Sequence, residues 1–490
     1  MHTKFQLPLK DDNPSLNGIH ILIIFQSFKN NTDTLAFVKN VRHLGIVSPT
    51  ILFYTGGSLE RAGATIHFLD CSALNLDSED AVKYAKKWNF DLVCFTITNL
   101  DFLFTAKWIQ RFYEEFNKPI FVGGIAAENY PEEVAKVPGI TGVCHAPAET
   151  AAVEWVKRYF NKGEWWLTPG TTNEYQEAVI KNPVVIDTRK LIRPHPARHL
   201  GQTEKYFSIL AKGAPSTAGM ATFGCPFGCE FCQIRRTPFV IRTAIDLVDE
   251  LEICEKELGI AEMDYFDSNF TVPRERVFEF SRLYQQRKLK IRWSCRARID
   301  LVDKEVLKAM KKANCSWIGF GIESGDDTVL SNIKKTQKGS GYISKALKWT
   351  DDAGISPVGF FVFGLPGETN ETLENTIRLI EKNPLDFIQI QAFYPVPNTP
   401  IYNRIVQETG LDIWKLAITQ GHNRDDLELD QTGFTVKDMH QYVSKVYTDF
   451  YFRPHQILNM ARNATSVSQF KNFFNAGLDV FKGAVLGNLK

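Results

Sequence analysis

Two runs of strand–helix alternation constrain this chain more than any other feature. In the first, the apolar stretches 19–25 (IHILIIF), 64–70 (ATIHFLD), 90–98 (FDLVCFTIT), 119–124 (PIFVGG) and 141–146 (TGVCHA) are rich in β-branched and aromatic residues. Segments of helical period lie between them: 78–88, opening at the N-cap residue Ser78, then 101–116 and 147–160. This alternation predicts a doubly wound, Rossmann-like sheet of parallel strands, with ligands outside the carboxyl ends of the strands. Gly123 and Gly124 stand at such an end, where backbone can approach a ligand closely. The second run has strand candidates at 218–223, 262–267, 290–297, 316–323, 356–364 and 386–393. Helical segments 243–258 and 303–313 fall between them, the latter with lysines in its last turn, where the helix dipole favours them. Six βα units over about 180 residues predict a partial (β/α)6 barrel of the TIM type, active at the carboxyl ends of its strands. Residues 161–215 carry prolines and no helical period, so they read as a connector. The expected plan is an α/β chain: 1–160 the first domain, 161–215 the connector, 216–400 the partial barrel, and 401–490 a helical tail.

Composition removes several function classes. Of 490 residues, 44% are apolar and 23% charged, the balance of a globular protein. Basic and acidic residues number 57 and 56, which gives no electrostatic footprint for nucleic acid. Nine cysteines, an odd count in a long chain, fit a reducing cytoplasm better than a secreted disulfide framework. The polar start MHTKFQLPLKDDNPSLNG does not read as a signal peptide, and no apolar run nears the ~18 residues of a membrane span. The 36 phenylalanines suit a large core, with an apolar substrate pocket as the sharper alternative.

Three of the nine cysteines fall within GCPFGCEFCQ, residues 224–233. Cys225, Cys229 and Cys232 directly follow the first strand of the second series, at the barrel's functional end. Thiolates are the usual ligands of iron–sulfur clusters. A structural zinc site wants four ligands, and the next cysteine, Cys254, sits inside a predicted helix. Three ligands leave one coordination position open.

This CxxxCxxC loop after the first barrel strand, with Phe231 before its last cysteine, resembles that of the radical S-adenosylmethionine superfamily. The resemblance implies that Cys225, Cys229 and Cys232 hold a 4Fe–4S cluster whose fourth iron chelates S-adenosylmethionine. One electron then cleaves the sulfonium and gives a 5′-deoxyadenosyl radical. It also implies a low-potential reductant such as flavodoxin or ferredoxin. YFDSNF (265–270) is similar to the family's second-strand segment, with Ser268 where an acid is usual. By resemblance Asp267 takes the ammonium group of the cosubstrate, and a strand-end cap is the plain reading. GFGIESG (319–325) is similar to the ribose-contacting segment, which puts Glu323 and Ser324 there. FVFGLPGET (361–369) resembles the glycine motif near the adenine, which marks Gly364; Glu368 or Thr369 also suits a helix cap. Arg296 and Arg298 suit either the cosubstrate carboxylate or an ion pair within the barrel.

The first domain resembles the cobalamin-binding domain that precedes many of these enzymes. The resemblance rests on 59–70, 121–134 and 142–156, and implies cobalamin contacts at Gly123, Gly124 and Glu149. Where a GEGE turn is usual, this chain reads HAPAE, and only Glu149 survives. It has no DxHxxG; DMHQYV (438–443) has Asp438 and His440 at that spacing but lacks the glycine. His145, His195 and His199 read as structural or surface residues, with a ligand role as the sharper alternative.

The resemblance implies a cobalamin-dependent radical methyltransferase acting on an unactivated carbon. The first alternative is an oxidative cyclase or other radical rearrangement enzyme of the magnesium-protoporphyrin monomethyl ester cyclase type. The non-enzymatic alternative is a cobalamin or iron–sulfur sensor. Methylthio transfer to RNA would call for three more clustered cysteines, and Cys71, Cys94 and Cys144 fall on three separate strands. The expected substrate is a small molecule, apolar in the manner of a lipid or tetrapyrrole. The amphipathic stretches 447–463 and 468–489 suit helices on the barrel or, at most, peripheral membrane contact.

Overall fold

A computed structural model describes residues 15–29, 44–185, 193–335, 338–421, 436–454 and 456–458. The chain divides into two compact units. The stretch 468–489 lies outside the described residues, as does the side chain of His440.

The first unit is built on β1 (His20–Phe25), β2 (Thr65–Asp70), β3 (Leu92–Thr96), β4 (Ile120–Gly123) and β5 (Ile140–Cys144). They run parallel in the order β2-β1-β3-β4-β5. Helices cover both faces of such a sheet, so its strands read as unbroken apolar runs; Ile21 to Ile24 are wholly buried. The strand order reverses between β1 and β3, which makes their carboxyl ends the crevice where this topology binds ligands.

The sheet continues past residue 160. β6 (Thr171–Tyr175) pairs antiparallel with β5, and β7 (Ala178–Lys181) pairs antiparallel with β6. Part of the expected connector is therefore sheet. Its turn residues, Gln176 and Glu177, both take left-handed backbone, φ 50° and 63°. A two-residue turn of that kind is normally marked by Asn-Gly, so this hairpin carried no turn signal. It is anchored where the Trp155 indole N–H donates to Asn173 Oδ1 at 2.9 Å, over Gly142, whose missing side chain makes room for both. Further along, the Ala197 N–H donates to the Phe53 carbonyl at 3.1 Å and His199 meets Glu60 at 3.1 Å, so this segment docks on helix Thr50–Arg61. Helix Ile413–Gln420, expected in the tail, also belongs to this unit.

The second unit is a six-stranded parallel half-barrel in sequence order: β8 (Ser216–Gly219), β9 (Glu262–Tyr265), β10 (Arg292–Ala297), β11 (Cys315–Glu323), β12 (Ser356–Phe363) and β13 (Phe387–Ala392). β8 starts two residues before the expected 218 and ends at Gly219. Thr222–Phe223 pairs instead with Val240–Ile241 as a short antiparallel ribbon, which closes the base of the cysteine loop. Trp293, Phe270 and Phe280 stack within the core beneath.

The last strand of a half-barrel is an open edge, and unpaired edges invite aggregation. Helix Val436–Tyr451 covers it. Ile390 N–H donates to Tyr447 Oη at 2.7 Å. Tyr451 Oη accepts from Ile388 N–H at 3.1 Å and donates to Ile388 O at 2.8 Å. Among the described residues, no helix is long and apolar enough to cross a membrane.

Candidate functional site

The cysteine loop leaves the half-barrel at the carboxyl end of β8. Gly224 opens it with φ 74°, and a Cβ there would fall 2.1 Å from the Pro238 carbonyl oxygen. Only glycine fits that approach. The loop is pinned at several points. The Gly224 carbonyl accepts from Ser268 Oγ at 2.6 Å, and Cys225 N–H donates to Thr237 Oγ1 at 3.0 Å. Glu230 N–H reaches the Ile333 carbonyl at 3.0 Å, and the Glu230 carboxylate meets Lys334 at 2.5 Å. Phe231 packs against Val329, Ile333 and Leu365, so the residue before the last cysteine is an apolar anchor of the loop.

Cys225 and Cys232 are half-buried and Cys229 is buried; all three are free thiols. Burial pushes the Cys232 thiol up, and the two neighbouring cysteines add to the shift. Among the described residues, no three His, Cys, Asp or Glu side chains converge on a position for one metal ion. A cluster spreads its thiolates over separate irons, so three thiols on one pinned loop fit it.

Cys229 is the most elaborated of the three. Arg298 Nη1 donates to its sulfur at 3.5 Å. The same guanidinium is forked onto Asp300, at 3.0 and 2.8 Å, donates to the Lys335 carbonyl, and lies over the Phe227 ring at 4.3 Å. Lys335 itself is half-buried and paired with Glu323 at 2.8 Å. Burial opposes its charge, but Glu323 and then Cys229 outweigh this and hold the ammonium above the ordinary lysine range.

Glu323 ends β11 with φ 69°, behind an irregularity in the register between Gly321 and Glu323. A left-handed non-glycine residue stores strain, and such residues cluster at functional sites. A Cβ on Gly321 would lie 2.6 Å from Glu323 Oε1 and 2.9 Å from Lys335 Nζ, so that glycine opens space for the pair. Ser324 is wholly buried, with its hydroxyl 3.1 Å from Thr376 Oγ1 and accepting from Asp326 N–H. It braces the turn after the strand. Gly364, φ 86°, donates its N–H to Glu368 Oε2 at 2.5 Å, and Leu365 N–H joins at 3.2 Å. Burial with no facing cation pushes Glu368 up to about 7. Thr369, not Glu368, caps the following helix.

Asp267 and Arg296, both expected at the cosubstrate, have partners within this unit, and Asp267 Oδ2 is buried without one. Asp267 is 4% exposed, and its Oδ1 accepts from Ala221 N–H at 2.6 Å and Thr222 N–H at 3.0 Å. It holds the chain between β8 and the cysteine loop, and burial pushes it up to about 6. Arg296 pairs with Asp264 and lies over Phe266 at 3.7 Å. Arg298 is the arginine that reaches the cysteine loop. The fit to a polar cosubstrate rests on Asn269, wholly buried at the same strand end, whose Nδ2 is buried with no partner. Sequence reading missed Lys335, because nothing local marks which lysine of the pair Lys334–Lys335 meets Glu323.

In the first unit, Gly124 takes φ 108° at the start of the short helix after β4, where a Cβ would lie 2.6 Å from the Ile97 carbonyl. Gly123 has room above Cys144. Glu149 is ion-paired with Arg193 at 2.8 Å. Gln26, after β1, donates to Thr96 O and Thr105 Oγ1, and its Oε1 is buried without a partner. Asn99 Oδ1, after β3, and His145 Nε2, after β5, are also buried and unpartnered. Burial lowers the His145 ring below its ordinary range, which keeps it neutral. Orphaned polar atoms at this edge of the sheet fit a ligand rich in amides, as the rim of cobalamin is.

Comparison with known proteins matches the Radical SAM superfamily over residues 220–380 and the B12 binding domain over 42–156. An uncharacterised methyltransferase of Pyrococcus horikoshii is 27% identical over 428 residues, 84% of this chain and 90% of its own length. The anaerobic magnesium-protoporphyrin IX monomethyl ester cyclase of Rubrivivax gelatinosus is 24% identical over 371 residues, 73% of this chain and 66% of its own. The fold is shared with the radical S-adenosylmethionine methyltransferase TsrM of Kitasatospora setae, solved with cobalamin and a 4Fe–4S cluster. That match has a TM-score of 0.64 at 17% identity and covers 80% of this chain and 75% of TsrM.

Proposed function

We propose that this chain, a radical S-adenosylmethionine enzyme joining a radical SAM domain to a B12-binding domain, is a cobalamin-dependent methyltransferase acting on an unactivated carbon of a small molecule. One observation carries the reading: a single chain holds a three-thiol loop at the carboxyl end of a half-barrel and a switch-point sheet of the B12-binding type. When bound, the cluster and S-adenosylmethionine supply a hydrogen-abstracting radical, and cobalamin supplies the methyl group.

The residues of the chain do the holding. Cys225, Cys229 and Cys232 take the cluster and leave one iron for the cosubstrate. Gly224, Ser268 and Thr237 fix the loop, so the thiols are placed before anything binds. Asn269 Nδ2 is the free donor for the cosubstrate, and Glu323, poised by strain and Lys335, is its acceptor for ribose hydroxyls. Gln26, Asn99 and His145 offer polar atoms to cobalamin.

The test is anaerobic reconstitution with iron, sulfide and cobalamin, then reduction with S-adenosylmethionine present. Release of 5′-deoxyadenosine and a cobalamin spectrum that co-elutes with the chain are the expected results. No cleavage of S-adenosylmethionine would sink the enzyme reading. Comparing metabolites of cells with and without the gene then separates the two chemistries. A mass difference of one methyl supports methyl transfer, and a gain of one oxygen with loss of four hydrogens, for the keto group and the ring closure, gives the cyclase instead.

A further inference from the structure

An arginine buried beside a cysteine thiol is costly to arrange, and the chain arranges it with three supports. Arg298 is 8% exposed. Asp300 grips it through two nitrogens, the Lys335 carbonyl accepts from it, and Phe227 stacks beneath its plane. What remains free of those supports is Nη1, and it donates to Cys229 Sγ at 3.5 Å. Lys335, which lends its carbonyl to Arg298, also feels the charge of Cys229 through its own ammonium. The four side chains Arg298, Asp300, Lys335 and Glu323 sum to zero charge, but the contact with the sulfur is made by a cationic end.

We propose that Arg298 is a positioning residue that favours the reduced state of the cluster by hydrogen-bonding the Cys229 sulfur. This rests on the reading that Cys225, Cys229 and Cys232 hold a 4Fe–4S cluster. The step is the transfer of one electron from an external low-potential donor into the cluster, with no bond made or broken. The added electron places more negative charge on the sulfurs. A donor fixed on one of them stabilises the reduced state more than the oxidised state, and hydrogen bonds to the sulfurs are one of the levers that set cluster potential. The guanidinium cannot lose its proton, so the effect holds across the working pH range.

The experiment uses the full chain, reconstituted anaerobically with iron and sulfide. Each variant is assayed for iron and sulfide content and titrated potentiometrically, with dithionite as reductant and the reduced cluster read by electron paramagnetic resonance. S-adenosylmethionine is left out, so turnover plays no part. Arg298→Met should keep the cluster but lower the ratio of reduced to oxidised form, at one applied potential, by about tenfold. Arg298→Lys should fall between it and the parent. An Arg298→Met protein with a full cluster and an unmoved midpoint overturns the proposal. If Arg298→Met loads no cluster, Arg298→Gln decides: it keeps an N–H donor on a side chain of related shape but removes the charge, and its midpoint must also fall or the proposal fails. A parent chain that binds no cluster would overturn the underlying functional reading instead, so the two failures are separable.

Discussion

Cys94 in the first sheet and Cys229 in the cysteine loop are equally buried, each at 7% exposure, and chemically opposite. Cys94 lies mid-strand in β3, where burial, helped by nearby Cys144, pushes its thiol up to about 12. Cys144 is held up at about 12 by burial in the same way. Among the described residues, no cation contributes at either thiol. Cys229 has the Arg298 guanidinium on its sulfur and the Lys335 ammonium within its field. Depth is the same, and the charge brought to the sulfur differs. A buried thiol far from cations is one more apolar group of the core, while a sulfur with a guanidinium donor on it stands in a polar, built setting.

The largest test of that contrast is substitution. Alanine at Cys225, Cys229 or Cys232 should abolish cluster loading and lower 5′-deoxyadenosine release by about a hundredfold or more. Cys94→Ala and Cys144→Ala should load iron and sulfide as the parent does, and both measures come from one reconstitution. Loss of the cluster in Cys94→Ala would break the comparison.

The same rule applies to carboxylates. Glu323 has Lys335 and Glu368 has only backbone donors, so Glu368 titrates near 7 when folded against 4.5 ordinarily. The folded chain then holds this proton more tightly than the unfolded one. Its contribution to stability is greatest below pH 4.5, declines as pH rises to 7, and is level above. The total change is on the order of 3 kcal/mol. Glu368→Gln, which still accepts from Gly364 and Leu365, should flatten that part of the stability–pH curve in urea titrations. A slope unchanged by the substitution would mean that the group is not buried as described.

The two sheets also close their edges differently, by a hairpin in the first unit and by tyrosine hydroxyls in the second. Tyr451→Phe strands the N–H and C=O of Ile388 and should cost about 1–3 kcal/mol. Tyr447→Phe should cost a similar amount at Ile390. Thermal unfolding measures both, and exposure of the edge should also show as faster amide exchange along β13.

The smallest effect is expected at Glu149. Its partner is Arg193, so Glu149→Gln should lower stability by about 1 kcal/mol and change cobalamin affinity by less than about twofold. A large loss of cobalamin affinity on equilibrium titration would return Glu149 to the ligand role that its sequence context suggested.

Much of the architecture was legible because its signals are local. β-branched runs between amphipathic segments marked the parallel strands, and three cysteines within eight positions marked the loop. The hairpin was hidden, since Gln176 and Glu177 adopt left-handed backbone without the residues that advertise it. The nearer partners of Asp267 and Arg296 were hidden for a related reason. Both stand where a cosubstrate contact is expected, but each had a nearer partner: the backbone at 221–222 for Asp267, and Asp264 for Arg296.

The sequence by itself determined the two alternating series, the thiols and their spacing, and so the class of chemistry. Tertiary structure alone decided which cations meet which sulfur. Arg298 is 69 residues from Cys229 in the chain, and Lys335 is held at the site by its pair with Glu323 at the end of β11. Periodicity and spacing report a residue's neighbours along one element. The charge at a buried sulfur depends on what three separate strand ends bring to it, and on how little water is left to screen them.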